Sequence, residues 1–189
     1  MNTYQLKSFY GFFDIAVEVA FRQDSTHFTL EYKLSGKDLS QIAALVECET
    51  NSTNPPRKAC DLWKSTCFEL FLFSENTPNY NEFNFAGTSW DRMFFEDYRI
   101  KGTPKTSEPT TISSLSLKSL NGGLLYTAKL DAPAGVFHLS PTVILEHRDG
   151  RQDFYALKHG VEKPDFHRLP LVKDLTHLLR FPSNDKQRN

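Results

Sequence analysis

Residues 61–74 read DLWKSTCFELFLFS, and from Thr66 to Phe73 the only charged residue is Glu69. Strand alternation places Cys67, Glu69, Phe71 and Phe73 on one face and Thr66, Phe68, Leu70 and Leu72 on the other. Both faces are largely apolar, which predicts a central strand covered on both sides. A charge in such a strand costs several kcal/mol unless it is paired or faces a wet cavity. The stretch therefore decides two things: the fold is layered β-structure, and Glu69 marks a special place in it.

Working outward, alternation of apolar and polar residues dominates and helical periodicity is scarce. DIAVEVAFR (14–22) and HFTLEYKLS (27–35) read as half-buried strands, the second with Phe28, Leu30, Tyr32 and Leu34 on one face. Further strands are expected at TCFELFLF, YNEFNFAG, DRMFFEDYR, ISSLSLKSL, LLYTAKL, TVILEH and QDFYALKH. Two hairpins are signalled, at Asn121-Gly122-Gly123 and at Asp149-Gly150, where glycine supplies the positive φ of a tight turn. About nine closely spaced strands predict an all-β sandwich or barrel. Helix is expected only at KDLSQIAALVE (37–47) and VKDLTHLLRF (172–181). The segments 47–61 and 101–111 read as loops, residues 1–180 as a single domain, and 181–189 as a disordered tail.

With 189 residues the chain can bury roughly 70% of its unfolded surface without metals or disulfides. Its 22 basic and 23 acidic residues are scattered, so nothing points to nucleic acid or an anionic membrane. The first 24 residues lack the pattern of a secretory signal, and no apolar run is long enough to span a bilayer. Three cysteines, Cys48, Cys60 and Cys67, leave an odd one and match no metal-ligand spacing. The expectation is a cytoplasmic protein with free thiols and no cofactor.

Neighbouring strands are expected to bring Glu69 onto a surface with Tyr80, Glu82, Asn84, Trp90 and Arg92. Aromatic rings cover C–H faces and fixed polar groups read hydroxyls, which suits a polar ligand. Alternatively, Glu69 pairs with Arg92 or Lys64 in a structural ion pair. In YALKHGVEKPDFHRLP (155–170), His159 lies at a strand end, and Lys163, Asp165 and His167 fall within five residues. Asp165 and His167 read either as an acid–base or metal-ligating pair, or as an Asx turn anchoring a loop. No G-x-S-x-G, phosphate loop or H-E-x-x-H is present. Cys67, in mid-strand, reads as an inert core thiol.

LWKSTCFELFL, then YNEFNF, a Trp, DYR and finally ALKHGVEKPDFH, taken together over residues 55–168, resemble the DOMON-like bacterial proteins related to family-9 carbohydrate-binding modules. Trp63, Lys64, Thr66, Cys67 and Glu69 match the first block; Glu82, Asn84, Trp90, Tyr98 and Arg99 the second; Ala156, His159, Lys163, Pro164, Asp165, Phe166 and His167 the third. Two departures stand out: Arg168 replaces a second His, and AGTSWDRMFFEDYR lacks the usual turn. The resemblance implies a jelly-roll-type β-sandwich with a ligand on its concave side. Sugar-binding relatives clamp a sugar between two tryptophans, and some DOMON relatives bind haem.

The function expected is non-catalytic binding of a small polar ligand, a saccharide or cell-wall-related sugar, with Trp63 and Trp90 flanking one groove. The rivals are a hydrolase or isomerase using Glu69, Glu82 or the Asp165 and His167 pair, and a haem or metal protein using His159 or His167.

Overall fold

The computed structural model describes residues 2–24, 26–51, 53–97, 99–100, 111–131, 135–169 and 178–181. Among them thirteen strands are formed. The first three are β1 (Asn2–Ser8), β2 (Ala16–Gln23) and β3 (His27–Ser35), and two short ones follow, β4 (Cys48–Glu49) and β5 (Arg57–Lys58). The central group is β6 (Cys67–Ser74), β7 (Tyr80–Ala86) and β8 (Ser89–Phe95). Last come β9 (Ile112–Leu120), β10 (Gly123–Asp131), β11 (Gly135–Glu146), β12 (Gln152–Ala156) and β13 (Leu178–Phe181).

The strands hydrogen-bond in the order β4-β9-β10-β3-β2-β1-β12-β11-β6-β7-β8-β5, with β13 on β11. This path folds into two layers, and β1 joins them: its residues 2–6 pair with β2, whereas Lys7 and Ser8 pair with Ala156 and Tyr155 of β12. Fully buried Asp153 fixes the corner, accepting hydrogen bonds from the backbone N–H groups of Tyr10 and Phe12 at 3.0 and 3.1 Å and from Ser8 Oγ.

One core fills the space between the layers. Val17, Val19, Phe28, Leu30, Tyr32, Leu34, Tyr126 and Ala128 meet Phe68, Leu70, Leu72, Phe83, Phe85, Leu139 and Val143. These are the alternate residues that a period of two assigns to the inner face. Each fully buried Leu or Phe contributes about 1.5–3 kcal/mol before conformational entropy is subtracted. Phe68 stacks on Tyr126 with ring centroids 4.2 Å apart, tying the layers together. The all-β sandwich expected from the alternation is the fold observed.

Both hairpins form where expected. In the first, Leu120 pairs with Gly123, so Asn121 and Gly122 alone make the turn. Gly123 is already strand, and a Cβ there would lie 2.4 Å from the Leu34 carbonyl oxygen. Several expectations need correction. KDLSQIAALVE contains only a single 3-10 turn, Leu39–Gln41, because its apolar residues serve separate contacts: Ile42 is buried while Val46 is exposed. In VKDLTHLLRF the part within the described residues, Leu178–Phe181, is strand paired with β11, not helix. Phe181, placed in the tail by sequence, ends that strand, and 182–189 lie outside the described residues. The 47–61 loop carries two short strands that extend the sheet edges. The expected loop at 101–111 lies outside the described residues except for Thr111.

A candidate ligand cavity on the outer face of the second layer

β6 is buried on both sides, as its sequence required. Phe68, Leu70 and Leu72 point into the core, and the register shows what the opposite face meets. Thr142 of β11, Glu69 of β6, Asn84 of β7 and Asp91 of β8 form one transverse row; Ser140, Phe71, Glu82 and Met93 form the next. His138, Phe73, Tyr80 and Phe95 form a third, and Phe154, Ile144 and Cys67 a fourth on the other side. Residues 163–168 lie against this surface, packing Phe166 on Phe71 and Phe154. The space between them is an open-mouthed cavity of about 780 Å³, with Trp63 at one wall and Glu69, Phe71, Tyr80 and Glu82 in its floor.

The two carboxyls are held from one side each. Thr142 Oγ1 donates to Glu69 Oε2 at 2.7 Å, and Asn84 Nδ2 donates to Glu82 Oε1 at 2.7 Å. Neither has the basic partner that sequence offered Glu69: Lys64 is exposed and paired with Asp61 at 2.7 Å, and Arg92 is on the other face. Burial first, then the Glu82 charge, raises the Glu69 carboxyl above the usual range. Burial also raises Glu82, with Asp91 adding to it against the Asn84 hydrogen bond. The Cys67 thiol is pushed well up, by burial and then by Glu69, which fits the expected inert thiol.

Tyr80 is wedged between Phe73 and Phe95, stacked on the latter at 4.6 Å. Its hydroxyl is 2.7 Å from His167 Nδ1, and His167 Nε2 stands 3.8 Å from Glu82 Oε2. Asp165 does not form a side-chain pair with His167. Its Oδ1 accepts the His167 backbone N–H at 3.2 Å and its Oδ2 accepts Arg168 Nε at 3.1 Å. That is the Asx-turn alternative: Asp165 shapes the loop, and the loop aims His167. Lys163 is exposed at the cavity mouth.

Of the residues sequence reasoning grouped together, Trp63, Glu69, Tyr80, Glu82, Lys163, Asp165 and His167 line the cavity, and Asn84 supports it from the adjoining row. Trp90 and Arg92 do not join them. Cross-strand register pairs Trp90 with Phe85 and Arg92 with Phe83, both core-face residues. Trp90 packs on the core with Lys58 above its ring, and Arg92 bonds Asn81 Oδ1 at 2.9 Å. The assumed β8 phase was off by one residue, which flips every side chain to the other face. The tryptophans therefore do not flank one groove. Lys64 also lies outside the lining; it sits 5.5 Å from the Trp63 ring. His159 is elsewhere, its Nε2 donating to the Lys7 carbonyl at 2.6 Å.

Met93, Phe95, Ile144, Phe154, Phe166, Arg99 and Arg168 line the cavity without having been singled out as site residues. The first two follow from the correct β8 phase. Phe154 and Ile144 required the β11–β12 register, which alternation alone does not supply. Among the described residues no three His, Cys, Asp or Glu side chains are placed to hold a metal ion.

Fold and site together define a class: an all-β sandwich with a ligand-sized cavity on the outer face of one layer. A Bacteroides uniformis ATCC 8492 protein, described provisionally as carbohydrate-binding, has a similar fold, with a TM-score of 0.58 at 11% identity over 96% of this chain and 86% of that one. Two structures of a family-9 carbohydrate-binding module from Caldicellulosiruptor kristjanssonii also align. The one in complex with cellotriose has a TM-score of 0.49 at 7% identity, covering 85% of this chain and 74% of the module. The one in complex with glucose has 0.46 at 10%, covering 95% and 84%. At 11% identity the first likeness concerns the fold alone. No protein-family model matches the chain, and no curated protein does.

Proposed function

We propose that the protein binds a saccharide in this cavity without transforming it. The carrying observation is the composition of one concave surface: the rings of Trp63, Phe71, Phe95, Phe154 and Phe166 stand around a floor bearing Glu69, Glu82 and Tyr80. Flat apolar rings can cover the C–H faces of a sugar while buried, oriented acceptors take its hydroxyls. The volume, about 780 Å³, lies in the range of small-ligand sites. A fold shared with a protein provisionally described as carbohydrate-binding supports the same reading. Hydrolysis is less well served, because a glycosidase flanks the scissile bond with its carboxyls, whereas Glu69 and Glu82 stand on neighbouring strands of one floor.

Trp63, 45% exposed at the wall, reports the site. A panel of mono- and disaccharides titrated against intrinsic fluorescence is expected to yield at least one that shifts the emission. Trp63→Ala should then weaken that ligand several-fold, the loss of about 0.5–1.5 kcal/mol of stacking. Trp90→Ala should leave affinity unchanged, since that ring packs on the core. Equal loss of affinity from both variants, or no response to any saccharide, overturns the reading.

A further inference from the structure

The saccharide reading leaves one atom unaccounted for. Glu82 is 4% exposed in the cavity floor, and its Oε2 is buried without a hydrogen-bond partner among the described residues. His167 Nε2, at 3.8 Å, is beyond hydrogen-bond reach, and its other ring nitrogen faces the Tyr80 hydroxyl. An unsatisfied buried acceptor loses its hydration without return, so a bound group should supply the missing donor.

The surroundings select the donor's charge. Glu69 faces Glu82 from β6, Asp91 from β8 and His167 from the loop, with Tyr80 on its own strand and Cys67 in the same electrostatic neighbourhood. Cations at the mouth are engaged with carboxylates of their own: Arg99 with Asp97 at 2.6 Å and Arg168 with Asp165 at 3.1 Å. Lys163 is out in solvent, where screening weakens it. A sugar hydroxyl could reach Oε2 but would do little to help either carboxyl of the floor ionise. An ammonium group supplies both donor and charge, and aromatic faces such as Phe71 and Phe95 attract a cation further.

We infer that the ligand carries a protonated primary amine seated on Glu82 Oε2, which makes it an amino sugar of the glucosamine class. This rests on the saccharide reading and narrows it. Burial holds protons on the Glu69 and Glu82 pair near neutrality, with the Glu82 charge adding to it at Glu69 and the Asp91 charge at Glu82; the arriving ammonium displaces one to solvent.

The test is calorimetric titration of the full chain at pH 7 with glucosamine, glucose, N-acetylglucosamine and cyclohexylamine, in two buffers of different ionisation enthalpy. Glucosamine is expected to bind at least tenfold more tightly than glucose or N-acetylglucosamine and to release about one proton per site. Glu82→Gln should erase that preference and the proton release, while the same change at Glu18 of β2, partly exposed and paired with Lys33 outside the cavity lining, should keep both. Neutral sugars binding as well as glucosamine, or a preference that survives Glu82→Gln, overturns the amine inference and leaves saccharide binding standing. Cyclohexylamine binding while every sugar fails overturns the saccharide reading instead, and no binding by any probe overturns both.

Discussion

The two faces of β6 are one residue apart in sequence and equally buried, but they meet different surroundings. Phe68, Leu70 and Leu72 enter a continuous apolar core that joins both layers, where side-chain polarity is confined to tyrosine hydroxyls such as that of Tyr32, which donates to the Glu69 carbonyl. Glu69, Phe71 and Phe73 enter a cavity wall where rings and carboxyls alternate in transverse rows. Nearly equal burial thus serves two purposes, close packing on one side and a concave, largely aromatic surface bearing two carboxyls on the other. A carboxyl that would be untenable at position 68 is sustained at 69 by Thr142 and by the space beside it. The separate hydrophobic cluster of Phe71, Phe73, Tyr80 and Leu169 stiffens that wall without merging into the core.

The comparison can be broken most forcefully on the core face. Leu70→Ala removes a fully buried side chain and should cost about 2–5 kcal/mol in urea denaturation. The folded remainder should bind ligand with unchanged affinity. Altered affinity with unchanged stability would erase the distinction between the faces.

On the cavity face the leading effect is pH dependence. In the unfolded chain Glu69 and Glu82 ionise near the ordinary carboxylate value, about 4.3; in the fold they hold protons longer, Glu69 to about 8 and Glu82 to about 7. The folded state therefore binds more protons across that interval, so stability is fully present below it and falls as pH rises through it. A loss of several kcal/mol between pH 5 and 8 is expected, and Glu69→Gln should at least halve it by removing the larger of the two titrations. Asp24 and Asp149, held low by hydrogen bonds led by Thr26 and Arg151 respectively, are already ionised throughout that window. A variant whose pH profile matches the wild type would mean the pair carries no strain. The smallest effect belongs to Trp63→Ala, whose melting temperature should move little, within about ±0.5 kcal/mol of stability, because the ring is half exposed.

How far the sequence could be read follows the same division. Alternation located the central strands closely, β3 and β9 to the residue, because a strand with one face in a core announces itself by period two. It also isolated Glu69, since a lone charge in an apolar run is a local signal. Relations between strands were hidden. The phase of β8 depends on its cross-strand partners, and SWDRMFF contains large or polar residues in both phases, so Trp90 and Arg92 were placed on the wrong side. β1 was missed because its pattern, NTYQLKS, has a single fully buried apolar residue, Leu6. Phe154 and Ile144 reach the cavity only through a register set by tertiary pairing. The helical expectation at 37–47 failed where spacing resembled a helix face but each apolar residue found a different environment.

The strand that joins the layers has a consequence for how the chain is made. Residues 2–6 can pair with β2 as soon as about twenty residues exist, but Lys7 and Ser8 wait for Tyr155 and Ala156. At ribosomal rates of about 5–20 residues per second, that leaves the end of β1 without its partner for roughly 7–30 s. Through that interval Asp153, which gathers Ser8, Tyr10 and Phe12, does not yet exist, so the aromatic stretch Phe9–Phe13 emerges with no anchor. Nascent chains arrested before Gln152 should be cut by protease in that stretch, and protection should appear only once β12 has cleared the exit tunnel. A strand made more than a hundred residues ahead of its second partner is seated in two stages, the later one set by the arrival of β12.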